Sequence, residues 1–138
     1  MGRIREYIKV NGKKCWTLFD SGARNTYVVP EVARRLVTKK LSKLFRTALG
    51  GGTKKTATAA ILDADIQGHK VVTNAMVIDE IGHDEEGRPI DVLFGALAMQ
   101  QWGIRLLPKE ERLDLTNYPK VFVEYNELIP RTKSQIPI

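Results

Sequence analysis

The stretch Cys15-Trp16-Thr17-Leu18-Phe19-Asp20-Ser21-Gly22-Ala23 decides how the rest of the chain is read. An apolar, strand-like run ends abruptly in a carboxylate, followed by a serine and a glycine. A carboxylate at the end of a buried strand is costly to desolvate, so it needs partners or a task. Ser21 can hydrogen-bond locally, and Gly22 lets backbone approach a partner closely. Taken alone, the triplet is also ordinary turn chemistry, because these residue types favour turns anywhere.

Outward from this stretch, residues 13–19 are joined to residues 6–10 by Asn11-Gly12. Asn-Gly between two apolar-patterned runs predicts a β-hairpin, which puts Asp20 at the end of its second strand. Residues 26–29 read as another short strand, Pro30 suits a first helical position, and residues 31–36 supply one or two helical turns. Residues 45–49 lead into Gly50-Gly51-Gly52, a flexible tip. Residues 53–66 and 70–78 are long strand patterns around the turn Gln67-Gly68-His69, so two linked hairpins are expected. Asp91-Val92-Leu93-Phe94-Gly95 is a short apolar strand ending in glycine. A helix over 96–102 follows, with Gly103 placed to stop it. Residues 104–107 and 113–115 read as strands around a polar turn at 108–112. Beyond Pro119, the alternating Val121, Val123 and Tyr125 suit an edge or intersubunit strand, and Pro130 and Pro137 a loose end. One domain over residues 1–115 and a tail over 116–138 are the expected organisation.

A length of 138 residues, 43% hydrophobic and 28% charged, fits one soluble globular domain with a real core. No apolar run is long enough to span a bilayer, and residues 1–6 lack the apolar core of a secretory signal. Cys15 is the only cysteine, which excludes an internal disulfide and cysteine-cluster zinc sites and fits a reducing, cytoplasmic setting or simply a fold that needs no cross-link. Much of the net charge of +6 lies between Arg34 and Arg46. A solvated helix and loop face is favoured there over a nucleic-acid patch, since no aromatic interleaving accompanies the charge. Residues 79–89 form a polar loop containing His83-Asp84-Glu85-Glu86. Contiguous ligands rarely converge on one ion, so no metal is expected. Asp63 and Asp65 share a strand face, which reads as solvated rather than catalytic.

The combination resembles the retropepsin family, the single-domain aspartic proteases of retroviruses, retrotransposons and some bacteria. Leu18-Phe19-Asp20-Ser21-Gly22-Ala23 resembles the catalytic Asp-Thr/Ser-Gly-Ala loop and its preceding strand. Residues 28–36 resemble the strand and short helix that follow in the bacterial and retrotransposon branches. Gly50, Gly51 and Gly52 fall where the family carries its flap. Val92-Leu93-Phe94-Gly95, with its helix and Ile104-Arg105-Leu106, resembles the unit that supports the catalytic loop.

The resemblance implies an all-β fold: a retropepsin-like, closed acid-protease β-barrel with one short C-terminal helix and a flap hairpin. It implies Asp20 as the catalytic carboxylate, supported by Ser21, Gly22 and Ala23, with Leu93, Phe94 and Gly95 as the supporting strand. It implies no cofactor and no metal, an extended polypeptide substrate and a homodimer, because one Asp-Ser-Gly triplet supplies half of the chemistry. The chain departs from the retroviral pattern at Arg24 and Ala96, where an acidic residue and an arginine often stand. That departure gives weight to an alternative, a catalytically weak or inactive dimerisation and peptide-binding module. Val29, Ile78 and Leu93 are expected in the core or in substrate pockets.

Overall fold

The computed structural model describes residues 2–122. The expected tail strand at Val123 and Tyr125, with Pro130 and Pro137, lies outside them. The first hairpin pairs β1 (Arg3–Val10) with β2 (Lys13–Asp20). Asn11 and Gly12 both have positive φ, the I′ turn whose twist matches that of the flanking strands. Its two-residue loop sets Val10 opposite Lys13, and counting back sets Arg3 opposite Asp20.

β3 (Tyr27–Val28) runs into α1 (Pro30–Ala33), which starts on the proline as expected but is a single turn. β4 (Thr38–Leu49) and β5 (Gly52–Ile66) form a second hairpin, and β6 (His69–Val77) pairs back on β5. Here the expectation of a helix and loop face for residues 34–46 is corrected: the lysine-rich run is a strand, with its register against β5 broken by a bulge between Lys40 and Phe45. The irregular spacing of Leu36, Leu41 and Leu44 conceals the period of two, because the bulge inserts extra residues into the strand.

β7 (Val92–Phe94) lies between β2 and β3, parallel to the first and antiparallel to the second. The strand order is β1-β2-β7-β3-β6-β5-β4, and β1 pairs back to β5 through Lys9 with Asp65 and Val10 with Ala64. Six strands therefore form a ring, with β4 appended outside it. α2 (Ala96–Gln101) follows β7, and a small sheet of β8 (Arg105–Leu107) and β9 (Arg112–Asp114) flanks a 3-10 turn at Pro108–Glu110. The architecture is all-β, as the retropepsin resemblance implied, and α1 adds a second short helix to the one expected near the C-terminus.

The core inside the ring is mostly aliphatic, with Ile8, Leu62, Ile66 and Val71 fully buried. Phe19 and Phe94 meet at 5.2 Å between ring centres, one from each of the paired strands β2 and β7. Each such burial contributes about 1.5–3 kcal/mol, so this pair locks the two strands that carry the informative loops. Beyond Leu115 the chain stays packed: Tyr118 stacks on Trp102, and its hydroxyl donates to the Lys70 carbonyl. Among the described residues, no helix is long and apolar enough to cross a membrane.

Candidate active site

Strand alternation sorts the end of β2. Phe19 points to the main core, whereas Leu18 faces a second apolar cluster with Tyr27, Ile78, Ile90 and Leu93. Asp20 ends the strand with its side chain 11% exposed, so its carboxylate needs partners inside the fold. It has two. The Gly22 N–H donates to Oδ1 at 2.8 Å, and Arg3 Nε lies 3.2 Å from Oδ2.

The loop after Asp20 is fastened from two sides. Ser21 Oγ accepts the Gly2 N–H at 2.8 Å, and the Ser21 N–H donates to the Gly2 carbonyl at 3.1 Å. On the other side, the first amides of α2 reach the loop carbonyls: the Ala96 N–H donates to Ala23 at 2.7 Å and the Leu97 N–H to Arg24 at 3.1 Å. Main-chain bonds thus hold the segment around Arg24 against the start of α2, which Ala96 opens.

Gly95 makes that approach possible. Its φ of −93° is open to any residue, but a Cβ there would sit 2.1 Å from the Asn25 carbonyl oxygen. The glycine is thus a requirement of space, and the buried Thr26 hydroxyl accepts the Gly95 N–H at 3.1 Å. Leu93, Phe94 and Gly95 divide their tasks: Leu93 lines the apolar cluster, Phe94 the core, and Gly95 the close crossing.

A groove of about 400 Å³ opens above Asp20, bounded by Leu18, Leu93, Leu49, Gly50 and Gly52. The structure therefore brings Asp20 and the glycine tip to one cleft. Gly50 and Gly51 form the β4–β5 turn with φ of 60° and 80°, and Leu49 lies opposite Gly52. Of the three residues expected in core or pockets, Ile78 and Leu93 are buried and Val29 packs partly buried against the core.

The loop over residues 79–90 closes the cleft's other wall with Glu80, Ile81, Gly82 and His83. The carboxylate of Asp84 is built into that loop. It accepts the Arg88, Glu86 and Trp16 Nε1 protons, and these bonds, the Arg88 N–H first, hold it below the usual carboxylate range. Asp65 accepts the Gly68 N–H in the β5–β6 turn, which gives it a structural task. Burial pushes the Cys15 thiol up, in keeping with a packed, unreactive side chain.

Two site features went unread in the sequence. Thr26 gave no signal, since a buried hydroxyl looks like any strand threonine. Arg3 did give one: a two-residue turn at Asn11-Gly12 fixes a register in which residue 3 must face residue 20.

Residues 7–97 match the family described as Aspartyl protease. This chain belongs to that family. Solved structures agree on the fold of this aspartyl protease family member. It is similar to the retroviral protease-like domain of Ddi1 from Leishmania major, with a TM-score of 0.61 and 15% identity, covering 85% of this chain and 90% of that one. It is also similar to the EIAV protease solved with the inhibitor HBY-793, with a TM-score of 0.50 and 19% identity over 76% of this chain and 92% of that one. A third likeness is to the foamy viral protease-reverse transcriptase solved with an RNA/DNA hybrid. Its TM-score is 0.52 at 12% identity, over 76% of this chain and 12% of that one. No curated protein matches the sequence.

Proposed function

We propose that this chain is an aspartic endopeptidase, active as a homodimer in which each copy contributes Asp20. The observation that supports the reading most is the cleft itself: a nearly buried carboxylate, held by Gly22 and Arg3, opposite a glycine hairpin tip. Pepsin-type hydrolysis needs two carboxylates around one water, and the loop supplies one per chain. A two-fold axis beside Asp20 provides the second without any new sequence.

Pepsin-type chemistry has the two carboxylates share one proton, so that one acts as base and the other as acid. The ionised member takes a proton from water, and the water oxygen bonds to the scissile carbonyl carbon. The protonated member donates a hydrogen bond to the carbonyl oxygen. The proton then passes to the leaving amine as the C–N bond breaks. This sequence requires no metal and no acyl-enzyme. Arg3 must share or release Oδ2 when the second copy arrives.

Ser21 and Ala23 hold the loop in place, and Gly22 leaves room for substrate backbone. Gly50, Gly51 and Gly52 act as a flap that closes over the peptide and excludes water. The substrate is an extended polypeptide, gripped through main-chain hydrogen bonds. A reducing, cytoplasmic setting fits the lone buried Cys15. Purified protein is expected to cleave an unstructured protein at mildly acidic pH, with inhibition by pepstatin. Asp20→Asn is expected to abolish cleavage at an unchanged melting temperature. Undiminished turnover in that variant would remove the proposal.

A second reading, a dimerising module that binds peptide without cutting it, draws on the Arg3–Asp20 ion pair, which occupies Oδ2 of the carboxylate. It predicts peptide binding that survives Asp20→Asn together with no cleavage by the native chain at any pH.

A further inference from the structure

Residues 34–62 carry eight lysines and arginines and no aspartate or glutamate. The fold places most of this run on one hairpin, β4 and β5. Arg34 pairs with Glu31 and Lys54 with Asp79. Lys39, Lys40, Lys43, Arg46 and Lys55 are exposed and form no ion pair among the described residues. The register sets Arg46 directly opposite Lys55. Like charges across a strand pair oppose the pairing, so this arrangement costs stability within the chain. An anionic partner would turn that cost into attraction.

Two neighbouring features select the kind of anion. β4 is the last strand of its sheet, and its outer edge pairs with no strand among the described residues. Such an edge can accept main-chain hydrogen bonds from an extended peptide. Running inward from β4 across β5 and β6 is an apolar groove of about 440 Å³, lined by Val37, Leu41, Phe45, Ile61 and Met76, with Lys39 at its wall. A strand edge and an apolar groove suit a polypeptide; a sugar-phosphate backbone would use neither.

We propose that the β4–β5 hairpin is a docking strip for extended acidic polypeptides, whose apolar side chains enter the Phe45 groove. The same hairpin ends at Leu49, Gly50 and Gly52 above Asp20, so docking there would select acidic substrates for the cleft. Only this last step rests on the endopeptidase reading.

The test measures binding in Asp20→Asn protein, which separates failure of docking from failure of cleavage. The probe is a fluorescein-labelled alternating Glu-Val peptide, followed by anisotropy, with Ser-Val and Lys-Val peptides of equal length as controls. The Glu-Val peptide is expected to bind about tenfold or more tightly than the Ser-Val peptide, and to weaken steeply with added salt. Arg46→Glu combined with Lys55→Glu keeps the cross-strand repulsion but reverses the strip, and is expected to cost at least about tenfold in affinity. Arg46→Gln with Lys55→Gln gives a milder loss should the first variant fold poorly. Lys109→Glu, an exposed cation on the Pro108–Glu110 turn, is expected to leave binding unchanged. Equal affinity for the Glu-Val and Ser-Val peptides would overturn the proposal, as would unchanged binding in both hairpin variants. Preferential binding of an oligonucleotide over the Glu-Val peptide would overturn it too.

Discussion

The Asp20 loop and the Gly50–Gly51 tip face each other across one cleft and are built by opposite rules. The loop is over-determined: Gly2 clasps Ser21, α2 amides bind the Ala23 and Arg24 carbonyls, and Gly95 presses against Asn25. The tip has open space beside it: a Cβ added at Gly50 or Gly51 would meet no atom within 4 Å. Its hairpin is tied to the body by the Tyr27 and Thr47 hydroxyls, 2.8 Å apart. The proposed roles fit this contrast: a proton-handling group suits rigid backbone, and a cover that admits a chain suits an open hairpin tip.

That contrast breaks most readily at Gly95. Gly95→Ala drives a methyl into the Asn25 carbonyl and is expected to cost about 3 kcal/mol or more in urea unfolding, with loss of activity. A stability within error of the native chain would show that the crossing can relax. Next in size is Thr26→Val, which keeps shape but leaves the buried Gly95 N–H without its acceptor. The expected loss is about 1–3 kcal/mol by the same measurement. Gly51→Ala tests the opposite side. Its φ of 80° disfavours a side chain, yet the space is open, so the cost should be only about 1–2 kcal/mol. Hydrogen exchange should change at the tip and not at the Asp20 loop.

The smallest effect concerns the far wall of the cleft and appears only in acid. The folded carboxyl of Asp84 titrates below its ordinary value, so its contribution is fully present above the ordinary carboxylate range. It is lost as pH falls through the depressed folded value. Native protein should therefore exceed Asp84→Asn in melting temperature at neutral pH, and the gap should close at strongly acidic pH. A gap independent of pH would show that the hydrogen-bond geometry, not the charge, matters.

Much of this was legible in the residues because the turns declare themselves. Asn11-Gly12, the glycine tip and Gln67-Gly68 mark three hairpins, and all three turns have positive φ at both central positions. Asp20 stood out because apolar strand residues precede it, and Gly95 because an apolar strand and a helix flank it. What stayed hidden was non-local. The bulge after Lys40 masked the strand period of β4, and nothing local marks β7 as the strand lying between β2 and β3. The hydroxyl of Thr26 acquires its role only when Gly95 arrives from far along the chain.

The central claim, that each active site takes one Asp20 from each of two copies, is tested most directly by mixing. Native chain and Asp20→Asn chain are unfolded together, refolded in varied ratios at constant total concentration, and assayed for peptide cleavage. Shared sites predict activity that follows the square of the native fraction, about a quarter at equal mixing. Activity that falls in simple proportion to the native fraction would contradict the account.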